Sequence, residues 1–234
     1  ILTTTIVHAV NASLFPKLSY DPVRDFSPIV LAASSPLVLV VPPSLGATNV
    51  DEFIKVIRSK PGSYNYASAG SGTMQHLAME LLKQEVGINA VHVPFKGSPP
   101  AMLALMSATV AGMVSDLPTA LPQIQSGKIR ALATTSANRL PELPAVATFG
   151  QQGFPRLDMK VWVGSFAPAR TPPAIVERLN AAMNTTLRDP QVRARLANVQ
   201  VEVLGGSPAQ FDTYLRDEMA RWGKVIRDGG ITAD

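Results

Sequence analysis

From residue 36 onward, short apolar runs alternate with amphipathic stretches, and that rhythm constrains the fold more than any other feature of the chain. Leu37 to Val41 is an apolar run stopped by Pro42-Pro43, the pattern of a strand buried on both faces. Asn49 stands where it can cap a helix whose Val50, Phe53, Ile54 and Ile57 share one side, and Pro61-Gly62 ends that helix. The alternation continues with a strand at Tyr64 to Ala67, a helix from Thr73 to Val86 closed by Gly87, and a strand at Ala90 to Val93. A helix from Pro99 to Met106, a strand near Val110 to Val114, a helix from Pro118 to Gln125 and a strand from Ile129 to Thr134 follow. Repeated βαβ units predict an α/β fold with a mostly parallel sheet covered by helices on both faces.

The flanks read differently. Ile1 to Val7 has the look of a β-branched strand, and no signal-peptide pattern precedes it. Residues 137–160 carry Pro141, Pro144, Gly150, Gly153 and Pro155 and read as loop, before strand character resumes at Val161 to Ala167. Pro172-Pro173 then opens an amphipathic helix with Ile175, Val176, Leu179, Met183 and Leu187 along one stripe. A short helix after Asp189-Pro190 and a strand at Val201 to Leu204 come next. The last helix has Ser207 as N-cap, Phe211, Leu215, Trp222 and Ile226 facing inward, and Gly229-Gly230 at its end. Linker signals near Val41-Pro42 and Gly164 to Pro168 divide the chain into two lobes. Residues 1–41 with 163–234 make one, and residues 42–162 the other.

Composition removes several function classes. Hydrophobic residues make up 46% and charged residues 16%, enough for a substantial core. The net charge of +4 comes from 21 basic and 17 acidic residues with no basic stripe, so there is little electrostatic case for nucleic acid. Zero cysteines exclude disulfides, thiol catalysis and Cys-ligated metals. Three histidines lie too far apart for a metal set, and neither H-E-x-x-H nor G-x-S-x-G occurs. With no nucleophile–base pair and no cofactor motif, the sequence reads as a binder and not an enzyme.

The segment most suited to chemistry is Ser68-Ala69-Gly70-Ser71-Gly72-Thr73, where a strand gives way to a helix. Backbone N–H groups at a helix start suit an anion, and the glycines let a ligand come close. An ordinary tight βα turn explains the same residues equally well. Asp116 follows an apolar strand and precedes Pro118, so it either meets a ligand at the strand end or caps the next helix. Lys96 stands in a second strand-to-helix turn, where a solvated lysine is the default. His76, His92 and Trp162 read as packed or hydrogen-bonded residues.

Several motifs together resemble one family. They are Tyr20-Asp21-Pro22-Val23-Arg24-Asp25-Phe26, Asn65-Tyr66-Ala67-Ser68-x-Gly70-x-Gly72-Thr73-x-x-His76-Leu77 and His92-Val93-Pro94-Phe95-Lys96-Gly97. Gly127-Lys128-Ile129-Arg130-Ala131-Leu132-Ala133, Arg139-x-x-x-Leu143-Pro144 and Trp162-x-Gly164-x-x-Ala167-Pro168 complete the set. In this order they resemble the periplasmic solute-binding receptors of tripartite tricarboxylate transporters, the Bug family. The resemblance implies a type II periplasmic binding protein fold, with two lobes, a central ligand cleft and two hinge crossings. It implies a monomer that binds a small carboxylate without a cofactor or metal and hands it to membrane permease subunits. A ligand-sensing domain of the same fold is the alternative. Carried over by position, the ligand contacts fall on His8, Ala9, Ser68, Gly72, Thr73 and Asp116. Relatives usually open with a further strand and Gly-rich loop before the stretch matching Ile1 to Leu18, so that segment is expected to be missing here. Two further departures are Ala12, where relatives carry Pro, and Ser107-Ala108, where they often carry two glycines.

Overall fold

Strand and helix alternate through the middle of the computed structural model, which describes residues 1–232. In chain order β1 (Leu2–Thr4) precedes a π-helical turn (Ile6–Val10), α1 (Asn11–Leu14), β2 (Phe26–Val41), α2 (Val50–Ser59), β3 (Asn65–Ser68) and α3 (Met74–Val86). Next come β4 (Val91–Pro94), α4 (Ser98–Met106), β5 (Gly112–Asp116), α5 (Leu117–Gln125) and β6 (Arg130–Thr134). Then follow β7 (Lys160–Pro168), α6 (Pro173–Arg188), α7 (Pro190–Ala197), β8 (Glu202–Val203) and α8 (Pro208–Gly229). The chain divides into two units, Ile1–Ser35 with everything from Val161 on, and Pro36–Lys160. Both crossings lie inside strands β2 and β7.

Polar side chains set where the helices of the Pro36–Lys160 unit begin. Asn49 accepts the N–H of Glu52 to start α2, Thr73 accepts that of His76 to start α3, and Asp116 accepts that of Thr119 to start α5. Gly87, in the left-handed conformation, ends α3. The strands lie in the order β6-β2-β5-β3-β4. β3 runs parallel to β4 and β5, whereas β2 is antiparallel to both β5 and β6. The expected parallel sheet is therefore mixed, with β2 alone reversed. β3 to β6 are linked by helical crossovers within the sheet, which impose one direction. β2 enters from the other unit and is free of that constraint. Its Leu37 to Val41 are fully buried, and Val38 and Val40 pack on Ala67, Ala101, Leu105, Met113 and Ala120.

In the other unit the strand expected over Ile1 to Val7 stops at Thr4, where β1 pairs antiparallel with β7. The chain then coils, and His8, Ala9 and Val10 are buried as the turn packs against α8. Burial against a tertiary partner overrides the β-branched propensity here. β8 pairs with β2 through Ala33↔Val203 and Ser34↔Glu202. On α6, Val176 reaches the core, but Ile175 and Leu179 stay 49% and 41% exposed, so the docked face is narrower than the apolar stripe. α8 starts with a capping box between Ser207 and Gln210 and buries Phe211, Leu215, Trp222 and Ile226. Trp162 is buried as well, edge-on to Phe211 with ring centroids 5.5 Å apart. The indole N–H groups of Trp162 and Trp222 both donate to Glu218 Oε2, at 3.3 and 3.0 Å. Burial pushes the Glu218 carboxyl above the usual range, and these bonds pull against it.

Two substitutions test this packing. A Cβ on Gly164 would lie 2.1 Å from Phe211 Cζ, so Gly164→Ala is expected to lose about 1–3 kcal/mol in urea unfolding. Phe211→Leu in the same chain should return part of that loss. Ala108 holds φ at 57°, a left-handed conformation costing an alanine about 1–2 kcal/mol. Glycine brings extra chain entropy of about 0.5–1 kcal/mol, so Ala108→Gly is expected to gain roughly 0.5–1 kcal/mol.

Candidate functional site

Ser68 ends β3, the turn that follows it leads to Thr73, the cap of α3, and Asp116 ends β5. These are carboxyl ends of parallel strands, the edge at which open α/β sheets take ligands. The turn from Ser68 to Thr73 is tied down by its own bonds. Gly70 N–H donates to Ser68 Oγ at 3.1 Å, Gly72 N–H donates to His76 Nδ1 at 3.1 Å, and Thr73 N–H donates to Gly70 O at 3.2 Å. The Thr73 hydroxyl donates to Gly70 O at 2.7 Å while accepting from His76 N–H. Its single proton is therefore committed, and a ligand taking it must displace the Gly70 carbonyl. Gly72 holds φ at 73°, which an L side chain resists.

Asp116 joins three segments. Oδ1 accepts Thr119 N–H at 3.0 Å, and Oδ2 accepts Ser98 Oγ–H at 2.7 Å and Gln75 Nε2–H at 3.5 Å. Ser98 is the first residue of α4 and Gln75 the second of α3, so one carboxylate touches the starts of α3, α4 and α5. The capping role is realised, and the half-buried carboxylate also faces the neighbouring helix starts.

Donors left for an anion differ among these starts. Pro99 and Pro100 strip N–H groups from α4, and Pro118 does so in α5. In α3 the N–H groups of Met74 and Gln75 have no intrahelical acceptor, and the bonds described above leave them unused. The α3 start, with Ser98 and Asp116 beside it, is thus the polar cluster best able to meet a small anion. Lys96 is exposed and, among the described residues, makes no ion pair.

Of the six positions assigned by resemblance, Ser68, Gly72, Thr73 and Asp116 lie in the Pro36–Lys160 unit. His8 and Ala9 belong to the other unit, where both are buried. His8 is 1% exposed, stacks on Phe166 with centroids 4.0 Å apart, and meets Phe26 edge-on at 4.8 Å. Neither of its ring nitrogens has a hydrogen-bond partner among the described residues. Sequence reasoning missed Gln75 and Ser98 as partners of Asp116. It also missed the polar group beneath the turn, where Tyr66 donates to Glu80 and His76 stacks on His92. The i, i+4 spacings Gly72–His76 and His76–Glu80 were the available signal.

The chain thus has two α/β units, and in the Pro36–Lys160 unit three helix starts gather at the strand ends. The family model for the tripartite tricarboxylate transporter family receptor matches residues 1–231, and the chain belongs to that family. The UPF0065 protein in the tcbD-tcbE intergenic region of Pseudomonas sp. (strain P51) is 36% identical over 226 residues, covering 96% of this chain and 67% of its own length. This chain therefore spans about two thirds of that relative. Among solved structures, R. palustris Rpa4515 with adipate has a TM-score of 0.87 at 33% identity, over 100% of this chain and 78% of that one. MatC (Rpa3494) from Rhodopseudomonas palustris with bound malate has a TM-score of 0.81 at 31% identity, over 96% of this chain and 78% of that one.

The buried His8 ring has a measurable signature. Burial lowers its pKa from the ordinary 6.5 to about 4, so the folded chain resists the proton that the unfolded chain accepts. His8 stabilisation is intact above the unfolded value and is lost as pH falls through 6.5 towards 4. The expected loss is about 3 kcal/mol at most between neutral pH and pH 4. In urea unfolding, His8→Phe should flatten this dependence relative to the parent chain. Equal slopes in the two proteins would show that the ring titrates normally.

Proposed function

We propose that this chain is a periplasmic solute receptor that binds a small carboxylate and delivers it to membrane permease subunits, without chemical turnover. The observation carrying this reading is the α3 start. Its Met74 and Gln75 amides, at the positive end of a 13-residue helix, stand beside the Ser98 hydroxyl at a strand-end edge. Family membership supports the receptor role, and the adipate and malate held by R. palustris relatives support the ligand class. Ser68, Gly72, Thr73 and Asp116 form the candidate site in this unit, with Ser68 and Gly72 shaping the turn from within. His8 and Ala9 are assigned through the family resemblance, and His8 would act by packing, since its ring is enclosed by Phe166 and Phe26.

Asp116 gives the site a preference. A ligand hydroxyl can donate to its carboxylate, whereas a second ligand carboxylate placed there meets like charge. The expected ligand is therefore a hydroxy acid.

Titration calorimetry on the full chain with malate and succinate, which differ by one hydroxyl, tests both parts. Malate is expected to bind one-to-one and more tightly, by about ten- to hundredfold for a hydrogen bond to a charged group. Asp116→Asn should close that gap, mainly by improving succinate. A melting temperature indifferent to malate, succinate and adipate would overturn the carboxylate reading. Equal affinities for malate and succinate would remove Asp116 as the selector.

A further inference from the structure

Beneath the Ser68–Thr73 turn lies a polar stack that neither ligand contact nor helix capping accounts for. The rings of His76 and His92 are 3.7 Å apart and 9° from parallel, and Tyr66 continues the stack 5.0 Å from His92. Each histidine holds the turn from below. His76 Nδ1 accepts Gly72 N–H at 3.1 Å, and His92 Nε2 lies 2.7 Å from Ser68 Oγ, which itself accepts Gly70 N–H. His76 is buried, so its bond to Gly72 does not exchange readily with water.

That bond fixes a protonation state. Nδ1 can accept only while its lone pair is free, so the ring proton sits on Nε2, facing Glu80 Oε1 at 3.9 Å. A second proton on Nδ1 would set donor against donor and release Gly72. We propose that His76 is a positioning residue of the carboxylate site. Its Nδ1 lone pair holds Gly72 in the left-handed conformation that aims the first α3 amides, and protonation of Nδ1 loosens the turn and weakens ligand binding. This inference rests on the carboxylate reading above.

The charges around the ring decide how readily it takes that proton. On its own helix, Glu80 favours the imidazolium, and Lys83 Nζ, 2.6 Å from Glu80 Oε1, offsets it. From β3 and β4, Tyr66 donates to Glu80, and His92, stacked face to face, disfavours a second positive ring. At the helix start Asp116 is joined to Gln75, and further along α3 Glu85 pairs with Arg156 from the loop before β7. Like charge on two rings stacked 3.7 Å apart is the main opposition to a doubly protonated pair.

Two arms test the proposal on the full chain. In nitrogen-15 NMR near pH 8, His76 is expected as the Nε2-protonated tautomer with a coupling across the hydrogen bond from Gly72 N to Nδ1. On acidification the Gly72 amide should shift with the same midpoint as the His76 ring. In the second arm, malate affinity is expected to fall about tenfold between about pH 8 and pH 6, the range in which imidazoles titrate. By reciprocity, saturating malate should lower the His76 midpoint by about one pH unit. His76→Asn, whose side-chain oxygen can accept from Gly72, should keep most of the affinity with a flat pH profile. His76→Leu should lose affinity throughout while its far-ultraviolet circular dichroism stays that of the parent. A proton on Nδ1 near pH 8, or a Gly72 amide that ignores the ring, overturns the inference, and so does a parent pH profile matching that of His76→Asn. Failure of malate and adipate to bind at any pH instead overturns the carboxylate reading, and the NMR arm still decides whether His76 holds Gly72.

Discussion

One carboxylate organises the strand-end edge of the Pro36–Lys160 unit. Asp116 receives donors from α3, α4 and α5, so the starts of three helices are registered to one another through two oxygen atoms. Its hydrogen bonds offset the cost of a half-buried charge, and its position answers the positive ends of the surrounding helices. The Met74 and Gln75 amides at this edge are taken neither by Asp116 nor by the bonds within the Ser68–Thr73 turn. The carboxylate thus sets both the geometry and the charge of this edge.

The same edge shows why proline content bears on recognition. α4 and α5 begin with prolines that fit the first turn, where an N–H has no helical acceptor in any case. That substitution costs the helix nothing and removes an anion donor. α3 begins without proline and keeps its first amides. Three helix starts that look alike in outline therefore differ sharply in what they offer a carboxylate.

Much of this was legible in the sequence because caps and stops are local. Asn49, Thr73, Gly87, Asp116 and Ser207 act on residues within one turn, and the helices begin and end where those residues stand. The Asp116 question, ligand contact or cap, was posed correctly from spacing, and the capping bond is present. What depended on distant partners was less legible. β2 extends back to Phe26 through Pro28, Ala32, Ala33, Ser34, Ser35 and Pro36, residues with little strand preference, because its partners supply the pairing. Its reversed direction follows from where the chain enters the unit, which no local window contains. His8 is assigned by alignment, and its ring packs on Phe26 and Phe166, which lie outside any local window around it. The histidine stack depends on the register that sets Tyr66 opposite His92, which is likewise a pairing property.

The two tryptophans of this chain, Trp162 and Trp222, share one buried acceptor and lie in the same unit. Indole emission is therefore a local signal. Excited selectively, it reports the environment around Glu218 and carries no indole from the Pro36–Lys160 unit. Tyr64 and Tyr66 are the phenol chromophores of that second unit, and Tyr66 lies directly under the turn at the candidate site. Tyr20 and Tyr214 share the unit of the two tryptophans, so the indole signal alone belongs to one unit, whereas the phenol signal sums over both.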